Sequence, residues 1–193
     1  MPTTVPLYAA FNNVFRCFAV EEDTGRTELY YQIRPEYLDR YGFSLNDTDP
    51  TRYEDAFVRR YKPDNPGLEN QVIKPLDIIL QIVGAVGNIG LVDRKLDRNW
   101  IAPQTMAVLR FHDPENRFEE LVTLFLFLRD KGTRRALRSF AKPGRAGLTL
   151  PVKALRQFQI LKLEPRWQKK AANIFERQLE IKKLQNLDAE VPW

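Results

Sequence analysis

The stretch Val72–Arg110 constrains this chain more than any other, because it sets apolar β-branched runs around three glycines spaced three residues apart. Val72 and Ile73 lead into Lys74-Pro75-Leu76-Asp77, which has the composition of a turn. In the run Ile78–Val83 that follows, Gln81 alone is polar, so a buried strand is predicted rather than an amphipathic one. Gly84, Gly87 and Gly90 then punctuate a bend and a second short strand, Ile89–Val92. Glycine at these places predicts left-handed backbone or close approach of another segment. A third strand is expected over Thr105–Phe111.

Around this centre the chain reads as α+β: a compact mixed sheet with short helices and a long C-terminal helix. Val5–Arg16 carries one or two short strands. Glu21–Gly25 has hairpin-turn chemistry, with Thr27–Ile33 as the return strand. Short helices are predicted over Glu36–Tyr41, between Pro35 and Gly42, and over Tyr53–Tyr61; Lys62–Gly67 is a loop. The clearest helix of the body is Phe118–Arg129, where Phe118, Leu121, Val122, Phe125 and Leu128 share a face. Thr133–Phe140 is read as a helix, Ala141–Gly147 as a loop, and Leu148–Pro151 and Phe158–Leu163 as extended or mixed.

From Glu164 to about Leu187 nothing breaks a helix. Trp167, Ile174 and Ile181 recur at seven, Ala171 and Leu184 extend that stripe, and Phe175 and Leu179 widen it. Such a helix either packs on its own domain or projects to pair with a second chain. The expected division is an α+β body over 1–163, a helix for dimerisation or partner docking over 164–188, and a tail over 189–193.

Several function classes are disfavoured by what the chain lacks. A single cysteine, Cys17, rules out an internal disulfide and a multi-thiolate zinc site. Leu121–Leu128 is too short to cross a bilayer, and Met1–Ala10 lacks the basic start and apolar core of a signal peptide, so a cytoplasmic location and no membrane association are expected. The glycine segment has neither the Lys-Ser/Thr ending of a P-loop nor dinucleotide-fingerprint spacing. His112, the sole histidine, falls in a turn, and Asp64, Glu69 and Asp77 lack the spacing of a metal-dependent nuclease. No catalytic residue, metal ligand or cofactor is assigned. An independent enzyme would need Cys17, His112 and a carboxylate to meet in one cleft.

Charge is the positive signal. The net charge is +5, residues 21–60 hold ten acidic and six basic side chains, and residues 129–145 hold seven basic and one acidic. The seven are Arg129, Lys131, Arg134, Arg135, Arg138, Lys142 and Arg145. In a helix Arg138 shares a face with Arg134 and Arg135. Such a cluster suits contact with nucleic-acid phosphates, or simply a solvated basic face.

With these residues in view, the chain resembles the target-recognition half of the specificity subunit of type I restriction–modification systems. The residues carrying it are Lys74-Pro75-Leu76-Asp77 with Ile78-Ile79-Leu80, then Gly84, Gly87 and Gly90 with Leu91-Val92. Ile101-Ala102-Pro103-Gln104 and Met106–Arg110 follow, then Leu124–Arg129, Leu150–Leu155, Ile160–Leu163 and Gln168–Phe175. The resemblance covers roughly residues 70–180 and implies a DNA methylase specificity domain-like fold.

It further implies a non-catalytic subunit that recognises double-stranded DNA. Such a subunit positions a methyltransferase subunit, which binds S-adenosylmethionine, and in some assemblies a translocase–nuclease subunit. The basic residues 129–145 would contact phosphate. Tyr53, Arg59, Asn65, Asn70 and Arg94 are candidates for base reading. Gly84, Gly87 and Gly90 would be scaffold, and Trp167, Ala171, Ile174, Ile181 and Leu184 the association face. With one recognition domain and one long helix, this chain fits a homodimerising half-subunit, a module that pairs with a different protein, or a piece of a longer chain. The rival reading is a protein–protein adaptor or inhibitor that uses the same scaffold without reading DNA.

Overall fold

The computed structural model describes residues 4–16, 29–35, 38, 58–60, 71–92, 94–96, 98–162 and 164–189; residues 12, 13, 15, 16, 29, 58–60 and 182–189 are described by their backbone. In chain order these form β1 (Thr4–Pro6), a 3-10 turn (Leu7–Ala9), β2 (Phe11–Arg16), β3 (Leu29–Gln32), β4 (Val58–Arg60), β5 (Ile78–Gln81), β6 (Ile89–Leu91), β7 (Trp100–Ile101) and β8 (Met106–Phe111). Then come α1 (Phe118–Arg129), α2 (Lys131–Ser139), β9 (Lys142–Gly144), β10 (Gly147–Thr149), α3 (Val152–Gln157), β11 (Gln159–Leu161) and α4 (Pro165–Ala189).

The apolar run read as a buried strand is β5, an inner strand of a four-stranded antiparallel sheet in the order β2-β8-β5-β6. Successive side chains of a strand point to opposite faces. Ile78 and Leu80 accordingly enter a core with Leu109 of β8, Leu121, Phe125 and Leu128 of α1, and Phe175 of α4. Ile79 turns the other way and packs with Ile33, Ile73, Trp100, Met106 and Val108. Both faces are covered, which is why β5 shows no polar alternation. On that second side a smaller sheet runs β4-β3-β7, with β3 antiparallel to β4 and parallel to β7.

Immediately before β5 the turn Lys74–Asp77 is fixed by charge. Asp77, 2% exposed, accepts from the backbone N–H of Lys74 at 2.8 Å and from Arg110 Nε at 3.0 Å and Nη2 at 2.7 Å. Arg110 also donates to the Val72 carbonyl at 3.0 Å. Burial pushes the Asp77 carboxyl above its ordinary range, opposed first by its hydrogen bond and charge contact with Arg110 and then by Lys74. Leu76 takes a positive φ of 63° inside this turn.

The remaining pieces close the body. β1 pairs antiparallel with β11, so Val5 faces Ile160 immediately before α4 begins. α4 lies along α1, with the Phe125 and Phe175 rings edge-to-face at 5.6 Å. At 25 residues it is about 38 Å long at 1.5 Å per residue. Among the described residues no helix is long and apolar enough to cross a membrane.

Four sequence expectations are corrected. Thr27–Ile33 was expected to return alongside the first strands, yet β3 pairs with β4 and β7, while β2 pairs with β8. Part of the predicted helix Tyr53–Tyr61 is strand β4, where pairing with β3 overrides a short helical pattern. The predicted loop Ala141–Gly147 contains most of a β-hairpin, β9–β10, whose return strand bridges Val83 through Thr149. Gly84 and Gly87 have positive φ, 80° and 95°, whereas Gly90 sits in β6 opposite Ile79 and is not among the positive-φ glycines. The Glu21–Gly25 turn, Cys17 and nearly all of Glu36–Tyr41 lie outside the described residues.

Candidate nucleic-acid interface

The basic cluster is built on α2 and the hairpin that follows it. Asp130 starts α2 as its N-cap, its Oδ1 accepting from the backbone N–H groups of Gly132 at 2.7 Å and Thr133 at 3.1 Å. A cap of this kind stabilises a helix by about 1 kcal/mol. Thr133 and Leu137, four residues apart, are buried against the body. The other side carries Lys131, Arg134, Arg135 and Arg138 at i, i+3, i+4 and i+7, and these four line one shallow depression of about 340 Å³.

Two of the four also hold the glycine turn. Arg134 Nη2 donates to Asn88 Oδ1 at 3.3 Å, and Arg138 Nε donates to the Val86 carbonyl at 2.7 Å. Asn88 in turn donates to Gln81 Oε1 at 3.1 Å, and the buried Gln81 amide donates to the Val83 carbonyl at 3.0 Å. A Cβ on Gly87 would stand 3.6 Å from Cβ and Cγ of Arg134, so the bare backbone seats that side chain. Lys131 and Arg135 are exposed and make no ion pair or hydrogen bond among the described residues.

The hairpin β9–β10 rests on the other glycine of the same turn. Gly84 N donates to Leu148 O at 2.9 Å, and Leu150 N to Ile82 O at 2.8 Å. A Cβ on Gly147 would lie 3.6 Å from Gly84 Cα. Beyond this seat Lys142 through Gly147 are all exposed. The glycine segment is thus the junction on which the basic helix and the basic hairpin are set side by side. Arg129, at the end of α1, places its guanidinium 5.2 Å from the Phe125 ring centre and is half-buried.

Arg94 is the base-reading candidate whose side chain is described, and it stands apart from this surface. Arg94 lies over the Phe118 ring at 4.0 Å, with Glu115 at 3.8 Å and Glu176 at 3.9 Å. Phe118 opens α1 and the basic helix follows its far end, about 18 Å along the axis. Tyr53, Asn65 and Asn70 lie outside the described residues, and Arg59 is described as backbone of β4. Sequence reading missed Asn88 and Gln81 as supports of Arg134. It also missed the Asp130 cap, although Asp directly before a helical segment is a recognisable signal.

On α4 the two apolar stripes separate. Ala172 and Phe175 are buried and Ala171 and Leu179 half-buried, whereas Trp167, Ile174 and Ile181 are 47%, 45% and 55% exposed. The spacing of seven marks the outward stripe, not the one that packs on the body. The Leu184 side chain lies outside the described residues. His112 is exposed in the turn after β8. Among the described residues no group of three or more His, Cys, Asp and Glu comes together to hold a metal.

No family model and no curated protein matches this chain. Solved structures do. A chain from work on complex assembly and conformational transition of the type I R-M system aligns over 97% of this chain, with a TM-score of 0.58 and 14% identity. The S subunit of the type I restriction–modification system from M. genitalium aligns over the same 97%, with a TM-score of 0.55 and 15% identity. The HsdS subunit from Thermoanaerobacter tengcongensis aligns over 97%, with a TM-score of 0.54 and 14% identity. The fold is therefore one shared with type I specificity subunits. This chain spans about two fifths of their length, 41%, 41% and 40%.

Proposed function

We propose that this chain is a non-catalytic, sequence-specific double-stranded DNA recognition subunit of a restriction–modification or related defence system in the cytoplasm. It would position an adenine methyltransferase, which holds the S-adenosylmethionine, and in a cleaving assembly a translocase–nuclease. Residues 1–163 would be the recognition unit, and 164–188 the helix through which it joins a second copy or the methyltransferase subunit. The observation that carries this reading is the stripe Lys131, Arg134, Arg135 and Arg138 beside the exposed hairpin, on a fold shared with specificity subunits.

The stripe is costly in the free protein, and that supports an anionic partner. Lys131 and Arg135, and Arg134 and Arg138, are like charges at i,i+4, each pair opposing the helix by a few tenths of a kcal/mol. Lys131 also stands at the positive end of the α2 dipole. Phosphates placed along the stripe would relieve both terms and release condensed counterions. The outward Trp167, Ile174 and Ile181 would supply the association face.

Selection of bound sequences from random duplex DNA, with and without candidate methyltransferase subunits, tests the reading. Enrichment of a defined half-site is expected. Absence of enrichment in both arms, with a protein partner captured through α4, would replace it with the adaptor reading.

A further inference from the structure

The hairpin β9–β10 differs from α2 in a way that separates two kinds of contact. α2 is laid on the body, with Thr133 and Leu137 buried and two of its arginines tied to the glycine turn. The hairpin is held along β10, where Thr149 bridges Val83, Leu148 accepts from Gly84, and a Cβ on Gly147 would lie 3.6 Å from Gly84 Cα. From Lys142 to Gly147 every residue is exposed, although the backbone there is paired as Thr149↔Lys142, Leu148↔Pro143 and Gly147↔Gly144. It is an ordered ribbon that stays exposed although β10 runs beside Gly84.

Its end is narrow. Arg145 and Ala146 form the turn between Gly144 and Gly147, so Arg145 is the one long side chain of the last four residues. A Cβ on Gly144 would meet Thr149 Oγ1 at 3.0 Å and the Gly147 carbonyl at 3.3 Å, so a side chain is not accommodated without adjustment. Gly147 holds φ at 93°, a backbone that side chains disfavour. Arg145 makes no ion pair or hydrogen bond among the described residues. Below the tip, Pro143 and the 40%-exposed Leu148 form an apolar cross-strand pair.

Dimensions match one feature of a DNA duplex. Strands of three residues are about 10 Å long at 3.3 Å per residue, the scale of a major groove about 8.5 Å deep. That groove, about 12 Å wide, admits a two-stranded ribbon, whereas the minor groove at about 6 Å does not. A helix carrying free cations beside the ribbon's base would meet the phosphates flanking the groove.

Resting on the DNA-recognition reading above, we infer that the β9–β10 ribbon enters the major groove and that Arg145 at its tip reads a guanine edge rather than a phosphate. The N7 and O6 acceptors of guanine match two parallel donors of a guanidinium. The Pro143–Leu148 pair offers apolar surface to a thymine methyl group alongside. Lys131 and Arg135 then hold the backbone, so the basic cluster divides into one reader and a set of positioners.

The experiment compares the unmodified chain, Arg145→Ala, Arg145→Lys and Lys131→Ala by selection from random duplex DNA and by salt titration, each with the methyltransferase subunits that support binding. Arg145→Ala is expected to lose preference at one guanine position while the others persist, and to weaken the best site about 5- to 150-fold. Arg145→Lys, a point charge without the fork, should restore little of that preference. Lys131→Ala should weaken all sequences alike and reduce the salt slope by about 1. If Arg145→Ala instead behaves like Lys131→Ala, Arg145 is a phosphate contact and the inference is overturned, with DNA recognition left standing. If the unmodified chain enriches no sequence in any arm, DNA recognition and the inference fall together. Unchanged thermal unfolding of Arg145→Ala, expected from its lack of partners, separates both outcomes from misfolding.

Discussion

Arg110 grips the buried carboxylate of Asp77 with two parallel hydrogen bonds, Nε to Oδ1 at 3.0 Å and Nη2 to Oδ2 at 2.7 Å. The pair joins the turn before β5 to the adjacent strand β8, and its third bond, to the Val72 carbonyl, reaches back to the segment that bridges β7. Removing Arg110 strands a carboxylate that is 2% exposed, and removing Asp77 leaves a largely buried guanidinium without its partner. Asp77→Ala or Arg110→Ala should each cost about 3–5 kcal/mol in urea denaturation. The double variant should cost clearly less than the two together. Simple additivity would mean that the two side chains stabilise the fold independently.

Gly87 makes a second test of the scaffold. At φ 95° an L side chain is strained, although its Cβ would stand at ordinary contact distance, 3.6 Å, from Arg134. Gly87→Ala should lower stability by about 1–2 kcal/mol, read as a fall in the thermal midpoint. An unchanged midpoint would show that the turn can relax without the glycine.

Like charges on α2 give a prediction in which stability and binding move in opposite directions. Arg135→Glu replaces repulsion with attraction toward Lys131 and Arg138, so the free protein should gain a few tenths of a kcal/mol. Its affinity for all duplexes should fall together, with the salt slope reduced by at least 1. A variant that binds DNA as before would remove this helix from the phosphate footprint.

The two stripes of α4 separate packing from association. Phe175→Ala empties a site filled against Phe125 and should cost about 3–5 kcal/mol. Ile174→Asp, at a 45%-exposed position, should leave the unfolding midpoint of the single chain almost unchanged. In sedimentation at micromolar concentration the unmodified chain should run at twice 22.6 kDa and Ile174→Asp nearer to one copy. A clean monomer before substitution would point the stripe toward a different protein.

The centre of this fold was legible in the sequence because local chemistry and tertiary context agree there. Ile78–Gln81 is apolar on both sides and is covered on both, and Phe118–Arg129 begins and ends where its periodicity does. What could not be read depends on distant partners. Nothing within Val58–Arg60 says that it will lie against Leu29–Tyr31, so a short helical pattern prevailed there. The same holds for the basic cluster. Composition located its seven charges, but only the packing of α2 on the glycine turn shows that Arg134 and Arg138 have structural work besides. On α4 a spacing of seven picked Trp167, Ile174 and Ile181, while the core selected Ala172 and Phe175, because α1 meets a face turned from that stripe.

The pairing of β1 with β11 has a mechanical consequence. Thr4 stands opposite Leu161 and Pro6 opposite Gln159, so the outer end of β1 lies beside the end of β11 that feeds α4. Tension between the two would load the ladder from one end and part its bonds one after another, as a zipper opens, instead of shearing them all at once. Beyond the ladder, the bond from Leu7 N to Phe158 O at 2.8 Å is the next to take the load. Load applied between Thr4 and the start of α4 would thus peel the first strand while the four-stranded sheet behind it stays intact.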